Sequence, residues 1–128
     1  MRLVGMPRFS MDWDFFLPPR DETNFKKLNE ILDEELDADV EPLGPRGENF
    51  VQTFQTRFGI LQFHLLVPGV PKFDVAEEAA VHRRTEEGTM VKCLSGQHLL
   101  ASKESANRAE DQLDIEFLKE LQRLGRLT

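Results

Sequence analysis

The chain has 128 residues, of which 40% are hydrophobic and 30% are charged. This composition supports a hydrophobic core and excludes a membrane-embedded or disordered chain. The formal net charge of −7 argues against nonspecific binding to nucleic acid, which depends on clustered Lys and Arg side chains. It does not exclude a metal–nucleotide site, because divalent cations neutralise the negative charge of the carboxylates at such a site. We expect one domain over residues 1–128.

The N-terminal sequence and the cysteine content indicate the compartment. Charged residues or prolines interrupt every short apolar stretch of residues 1–14, so no signal peptide is predicted. No apolar run is long enough to span a bilayer. Cys93 is the only cysteine, which excludes an intrachain disulfide and favours a reducing compartment. These features predict a cytoplasmic protein without a membrane partner.

Strand and helix patterns alternate along the first half of the chain. The predicted elements are a strand at Phe9–Leu17, a helix capped by Asp21 or Thr23, a loop at Asp37–Asn49, and strands at Phe50–Phe58 and Ile60–Val67. The buried stripe of the helix would consist of Phe25, Leu28, Leu32 and Leu36. We expect the last two strands to form a hairpin that turns near Gly59.

The second half is predicted to be mostly helical. The predicted elements are a helix at Phe73–Arg84, a strand at Thr89–Leu94, a helix from the N-cap Ser95 to about Ser105, and a helix from about Ala109 to Gly125. The buried stripe of the last helix would be Leu113, Phe117, Leu121 and Leu124. The fold class is therefore α/β or α+β, a mixed sheet with flanking helices and further helices at the C-terminal end.

Asp12 and Asp14 are the most informative residues of the sequence. Because side chains alternate along a strand, both carboxylates would lie on one face, and Trp13 would point into the core on the other. Such a pair can hold one or two divalent cations that clamp a triphosphate. Taken alone, however, an Asp-x-Asp spacing more often reflects two solvated acids on an edge strand than a metal site.

The residues around this pair resemble a motif of the nucleotidyltransferase family. The segment Gly5–Asp14 matches the family pattern Gly-x-x-Arg-x-Thr-x-Asp-hydrophobic-Asp, with Ser10 in place of Thr. The resemblance implies that Asp12 and Asp14 bind Mg²⁺ or Mn²⁺ and that Arg8 and Ser10 contact the nucleoside triphosphate. From the residues themselves, Arg8 could equally well neutralise the two aspartates.

The C-terminal part of the sequence is similar to a second motif of this family. There a hydrophobic-Ser cap precedes a helix that bears Lys, followed by Arg and by Asp-x-x-Asp-Ile/Leu. The corresponding residues are Leu94-Ser95, Lys103, Arg108, Asp111 and Asp114-Ile115, with Glu110 where lysine is commoner. Lys103 would then contact the nucleotide, although surface salt bridges of Lys103 and Arg108 with Glu104 and Asp111 explain these residues as well. The likeness is nearest to minimal nucleotidyltransferase-like proteins, including those of toxin–antitoxin and abortive-infection systems.

The sequence departs from the family in two ways. The Gly-Gly or Gly-Ser turn that cradles the triphosphate would precede Gly5, and it is not found from Met1 onward, which implies a start inside a longer domain or a lost phosphate site. The third catalytic carboxylate is replaced by His64. That histidine could bind Mn²⁺ or Zn²⁺, act as a general base, or be structural. We expect its ring to lie beside Asp12 and Asp14 and to neutralise them without a metal.

Two functions from different classes follow. The first is a nucleotidyltransferase of impaired activity that moves a nucleotidyl group from a nucleoside triphosphate to a hydroxyl with Mg²⁺, using Asp12, Asp14 and His64. The second is a catalytically degenerate module that binds a protein partner, such as a toxin, or a second copy of itself. The fold alone does not decide between them, because function depends on the site.

Overall fold

The computed structural model describes residues 12–128, which form two compact units, residues 12–66 and residues 67–128. Both units contain strands and helices, so the predicted α+β class is confirmed. Arg8, Ser10 and the start of the predicted Phe9–Leu17 strand lie outside the described residues. Whether the chain acts as one domain stays a prediction, and each unit is described by itself.

The N-terminal unit consists of a three-stranded mixed sheet and one helix. Its elements are β1 (Asp12–Phe16), α1 (Glu22–Ile31), β2 (Val51–Thr56) and β3 (Gly59–His64). The strand order is β1-β3-β2, with β1 parallel and β2 antiparallel to the central β3. The predicted hairpin is confirmed, and Gly59 provides the positive φ of 105° that its turn requires.

The core of the N-terminal unit lies on one face of this sheet. Trp13 pairs with Leu61 and Phe15 with Phe63, so the four side chains project from the same face. Phe63 is 1% exposed, and its ring stacks on Phe15 at 5.3 Å and meets Phe54 edge-on at 5.9 Å. The apolar side chains that close this core from α1 and the following loop are Phe25, Leu28, Leu32, Leu36, Val40 and Leu43.

Helix α1 begins where the sequence predicts and ends earlier. The side chain of Asp21 accepts a hydrogen bond of 3.1 Å from the Asn24 N–H, which makes Asp21 the N-cap rather than Thr23. The helix ends at Ile31, and Leu32 and Leu36 lie in the turns that follow it. Both leucines still pack against the core, so the apolar spacing correctly predicted burial but not helix length.

The C-terminal unit consists of a small β-hairpin, three α-helices and one 3₁₀ turn. Its elements are α2 (Phe73–Glu78), β4 (Val81–Arg84), β5 (Met90–Cys93), α3 (Gly96–Ala106), a 3₁₀ turn at Ala109–Asp111 and α4 (Gln112–Arg123). The predicted helix Phe73–Arg84 is therefore wrong in its second half. Residues of β4 instead pair antiparallel with β5, because the turn between them closes with a Thr85 N–H···O=C Thr89 bond of 2.8 Å.

The last two helices enclose the second core. Ser95 caps α3 as predicted, since its hydroxyl accepts a hydrogen bond of 3.2 Å from the His98 N–H. The core consists of Leu100, Ile115 and Leu118, with Leu99 and Leu127 packed against it. The predicted stripe of α4 is wrong at Leu113 and Leu124, which are 65% and 47% exposed, whereas Phe117 and Leu121 are half-buried. The inward face of α4 instead carries Asp114, Ile115 and Leu118.

Candidate functional site

The two aspartates lie on the face of the sheet opposite the core of the N-terminal unit. In the parallel pairing of β1 with β3, Asp12 is opposite Ile60 and Asp14 is opposite Gln62. Paired residues project from the same face, so the predicted arrangement of both carboxylates on one face is confirmed. Asp12 and Asp14 are exposed, while Gln62 is half-buried between neighbouring strands. This polar face is the candidate site.

His64 contacts Asp14 on this face. It is the last residue of β3, and its Nε2 lies 2.9 Å from Oδ1 of Asp14. The parallel register makes this possible, because His64 pairs with Phe16, two residues beyond Asp14 on the same face of β1. The expectation that the ring faces the aspartates is met by this contact with Asp14. When the imidazole is protonated, the hydrogen bond becomes an ion pair.

The exposure of the two groups limits the strength of this pair. The His64 side chain is 23% exposed and that of Asp14 is 62% exposed. Water and salt screen a contact of this kind, and such pairs contribute up to about 1 kcal/mol to stability. The contact therefore orients the two side chains more than it stabilises the fold. It also uses Oδ1, one of the two oxygens through which the Asp14 carboxylate could hold a cation.

The donor set does not fit a three-carboxylate magnesium site. Mg²⁺ requires oxygen ligands in nearly octahedral geometry, whereas His64 presents a ring nitrogen beside Asp14. By ligand type alone, a histidine beside a carboxylate suits Mn²⁺ or Zn²⁺ better than Mg²⁺. Within residues 12–128, however, no three His, Cys, Asp or Glu side chains are arranged to hold a metal ion. The predicted binding of metal by Asp12 and Asp14 stays a prediction.

Lys103 lies in an ion-pair cluster of the C-terminal unit. Its Nζ is 3.3 Å from Asp111 Oδ1 and 3.0 Å from Asp114 Oδ2, and its side chain is 16% exposed. Arg108 adds a third contact, with its Nε 2.8 Å from Asp111 Oδ2. Lys103 therefore pairs with Asp111 as expected, but this salt bridge is buried rather than at the surface. Glu104 instead faces Lys119 at 3.7 Å. The residues of the C-terminal motif therefore tie α3 to α4.

Burial and positive charge act in opposite directions on Asp111. Burial raises the pKa of this carboxyl, while hydrogen bonds and charges from Arg108 and Lys103 lower it. The net result is a pKa below the ordinary value of 3.8, because two cations face one carboxylate. Asp111 is therefore ionised in the folded protein at neutral pH. Sequence reasoning had missed the burial of this cluster, since the Asp-x-x-Asp spacing is typical of exposed helix surfaces as well.

Cys93 is a packing residue of β5. Its side chain is half-buried, and burial raises the pKa of the Cys93 thiol, against the opposing charge of Arg83. A raised pKa reduces the fraction of reactive thiolate at neutral pH. The arrangement is that of a structural cysteine rather than a nucleophile.

Comparisons with protein-family models, curated proteins and solved structures gave no match. Within residues 12–128, no helix is both long and apolar enough to cross a membrane. The residues of the polar face are therefore what indicates a function, and Arg8 and Ser10 lie outside the described residues.

Proposed function

We propose that this chain is a nucleotidyltransferase-like protein whose transfer activity is impaired. The reaction in question moves a nucleotidyl group from a nucleoside triphosphate to a hydroxyl with Mg²⁺ or Mn²⁺. Asp12 and Asp14 would hold the metal, and Arg8 would contact phosphate. The single, half-buried Cys93 supports a cytoplasmic location for this protein. Lys103 is better assigned to the packing of α3 on α4, because two buried carboxylates hold it.

The contact between His64 Nε2 and Asp14 Oδ1 carries this proposal. In a metal-dependent transferase, a third carboxylate on a neighbouring strand adds negative charge that a divalent cation neutralises. Here the neighbouring strand brings a histidine to 2.9 Å from one of the two aspartates. The ring of His64 already contacts Oδ1 of Asp14, so it competes with a metal ion for that carboxylate oxygen. Weak metal binding and impaired transfer follow from this competition.

The second candidate is a catalytically degenerate module that binds a protein partner. The same contact favours it, because the ring of His64 gives Asp14 a hydrogen-bond partner on the polar face without a metal. Retention of both aspartates then does not require catalysis. A toxin-like protein or a second copy of the chain would be the partner, and the nucleotide would play no part.

Metal titration and transfer assays on a matched set of variants test this proposal. His64→Asp should bind Mg²⁺ about tenfold more tightly than the wild type, because it restores a carboxylate and removes the ring that contacts Asp14. His64→Asn is the control, since it removes the ring without adding charge. Calorimetry on the double variant Asp12→Ala/Asp14→Ala should detect no binding of Mn²⁺ or Mg²⁺. None of these proteins should transfer label efficiently from a nucleoside triphosphate.

Two results would contradict the proposal. Efficient transfer by the wild type would show that the activity is not impaired and that His64 does not hinder the reaction. Equal metal affinity of the wild type and the double aspartate variant would remove the metal site altogether. In that second case, the binding module remains as the function that the polar face supports.

A further inference from the structure

Strand β2 lies at a free edge of the N-terminal sheet. Within residues 12–128 it pairs with β3 alone, in the order β1-β3-β2. It spans six residues, Val51–Thr56, and its side chains alternate between exposed and half-buried. Val51, Thr53 and Gln55 are the exposed ones, and they project from the face opposite the core. An edge of this length offers a row of backbone groups for pairing with another strand.

The hydrogen-bond pattern identifies which backbone groups face outward. The Leu65 N–H donates to the Phe50 C=O over 2.8 Å, so Phe50 and Leu65 form a hydrogen-bonded pair. Hydrogen-bonded and non-bonded pairs alternate along an antiparallel ladder. The residues of β2 with even numbers therefore bond to β3. The N–H and C=O groups of Val51, Thr53 and Gln55 point away from the sheet.

This edge lacks the features that usually prevent strands from associating. Natural edge strands carry Lys, Pro, a bulge or an inward-pointing charge. The sequence of β2, VQTFQT, has no charged residue and no proline, in a chain that is 30% charged. Its β-branched and aromatic residues favour extended structure. No charge or proline within β2 therefore opposes the pairing of this edge with a further strand.

From these observations we infer that β2 pairs antiparallel with β2 of a second copy of the chain, around a twofold axis at Thr53. In this register Thr53 faces the second copy's Thr53, and Val51 faces the second copy's Gln55. All three residues with outward backbone groups then fall in hydrogen-bonded pairs. The result is one continuous six-stranded sheet. The inference does not depend on the proposed function, because it uses the opposite edge of the sheet from β1.

A second copy fits this edge because the strand is complementary to itself. A twofold interface places equivalent surfaces opposite each other, so any charge at its centre would face a like charge. The neutral side chains of β2 avoid that repulsion, and opposed threonines are a favourable cross-strand pair. The net charge of −7 on each chain still opposes association at a distance. Salt screens this repulsion, so the dimer should strengthen as salt rises.

The expected complex is weak and depends on concentration. Two six-residue strands bury less area than a standard stable interface. Association also costs translational and rotational freedom. We therefore expect exchange between monomer and dimer in the micromolar to millimolar range of protein concentration.

Sedimentation velocity of the full chain at low and high salt tests the inference. Thr53→Pro should weaken the dimer at least about tenfold, because it removes the N–H at the twofold axis. That N–H does not bond to β3, so the circular dichroism of this variant should match the wild type. Thr53→Val is the matched control, because it keeps the N–H and the branched shape and should dimerise as the wild type does.

Charge substitutions at the axis provide a second test that does not depend on proline. Thr53→Lys and Thr53→Glu should each dimerise at least about tenfold more weakly, since like charges then face each other. An equimolar mixture of the two should form a heterodimer, because opposite charges then meet. A wild-type chain that stays monomeric at high salt, or a Thr53→Pro variant with unchanged affinity, would overturn the inference and leave the edge to an extended segment of another protein. His64→Ala should leave dimerisation unchanged, so failure here is distinguishable from failure of the proposed function.

Discussion

Lys103 Nζ lies 3.0 Å from Oδ2 of Asp114, a carboxylate whose side chain is completely buried in the C-terminal unit. The same ammonium group is 3.3 Å from Asp111, which is 4% exposed. A buried carboxylate is unfavourable unless a cation and hydrogen bonds compensate for its lost hydration. Lys103 thus links α3 to the two aspartates at the start of α4. The main effect of its loss should be a lower stability of the fold.

Lys103→Met should lower the free energy of unfolding by about 3–5 kcal/mol, because it leaves buried carboxylates without their lysine. Methionine keeps most of the length and apolar contact of the lysine side chain. Urea unfolding followed by circular dichroism measures the change.

The control for this variant is Lys119→Met on α4. Lys119 and Glu104 are 57% and 47% exposed and lie 3.7 Å apart, so their loss should change stability by less than about 1 kcal/mol. Equal effects of the two substitutions would mean that Lys103 does not stabilise the buried carboxylates. Lys103 would then be available for the nucleotide contact that the family resemblance implies.

The depressed pKa of Asp111 makes stability depend on acid pH. Arg108 and Lys103 lower this pKa in the folded protein, while an unfolded Asp titrates near its ordinary value of 3.8. Unfolding therefore takes up a proton when the pH lies between the folded and unfolded values. The contribution of Asp111 is complete above the unfolded pKa and is lost as the pH falls through the folded pKa.

Urea midpoints measured from neutral pH down to about pH 3 test this dependence. The wild type should lose stability over the acid range, and Asp111→Asn should start lower at neutral pH and decline less steeply. Glu110→Gln serves as the control, because Glu110 is largely exposed and should keep the wild-type slope. An unchanged acid slope in Asp111→Asn would show that other carboxyl groups determine it.

Trp13 should contribute to the core of the N-terminal unit less than a fully buried tryptophan does. It packs against the Leu61 and Phe63 cluster but is only half-buried. Trp13→Ala should therefore lower stability by about 2 kcal/mol, compared with about 3–5 kcal/mol for complete burial. Ile31→Ala is the control, since Ile31 is 76% exposed and should change stability by less than about 0.5 kcal/mol. A negligible effect of Trp13→Ala would contradict the packing of β1 on the core.

Local signals in the sequence predicted most elements of the N-terminal unit and fewer of the C-terminal unit. The alternation of apolar and polar residues around Gly59 predicted the hairpin, and the apolar spacing from Phe25 predicted the helix. Both predictions succeed because each element buries one face against the core. The pattern failed at Val81–Arg84, where helical spacing and a short strand look alike. Only the pairing of β4 with β5 decides between them, and it depends on residues Met90–Cys93.

The polar face was predicted better than the ion-pair cluster. Two aspartates with alternating spacing necessarily share a face of a strand. The family resemblance predicted His64 on a strand beside them, and its contact with Asp14 agrees with that prediction. The burial of Asp114 could not be predicted in this way, because a charged residue is normally assigned to the exposed face of a helix. Its burial depends on Lys103, which lies on a different helix.

Gly69 and Gly88 provide a matched pair for the last prediction, because both have a positive φ in the same unit, 80° and 89°. An alanine at either position should cost about 1 kcal/mol for the left-handed conformation. At Gly69 the added Cβ would also lie 2.5 Å from the carbonyl oxygen of Ala101 on α3, whereas at Gly88 its nearest neighbour is 4.0 Å away. Gly69→Ala should therefore lower the free energy of unfolding by at least about 2 kcal/mol and Gly88→Ala by about 1 kcal/mol. Thermal and urea unfolding of both variants measure the difference, and equal losses would mean that the segment at Gly69 does not pack closely on α3.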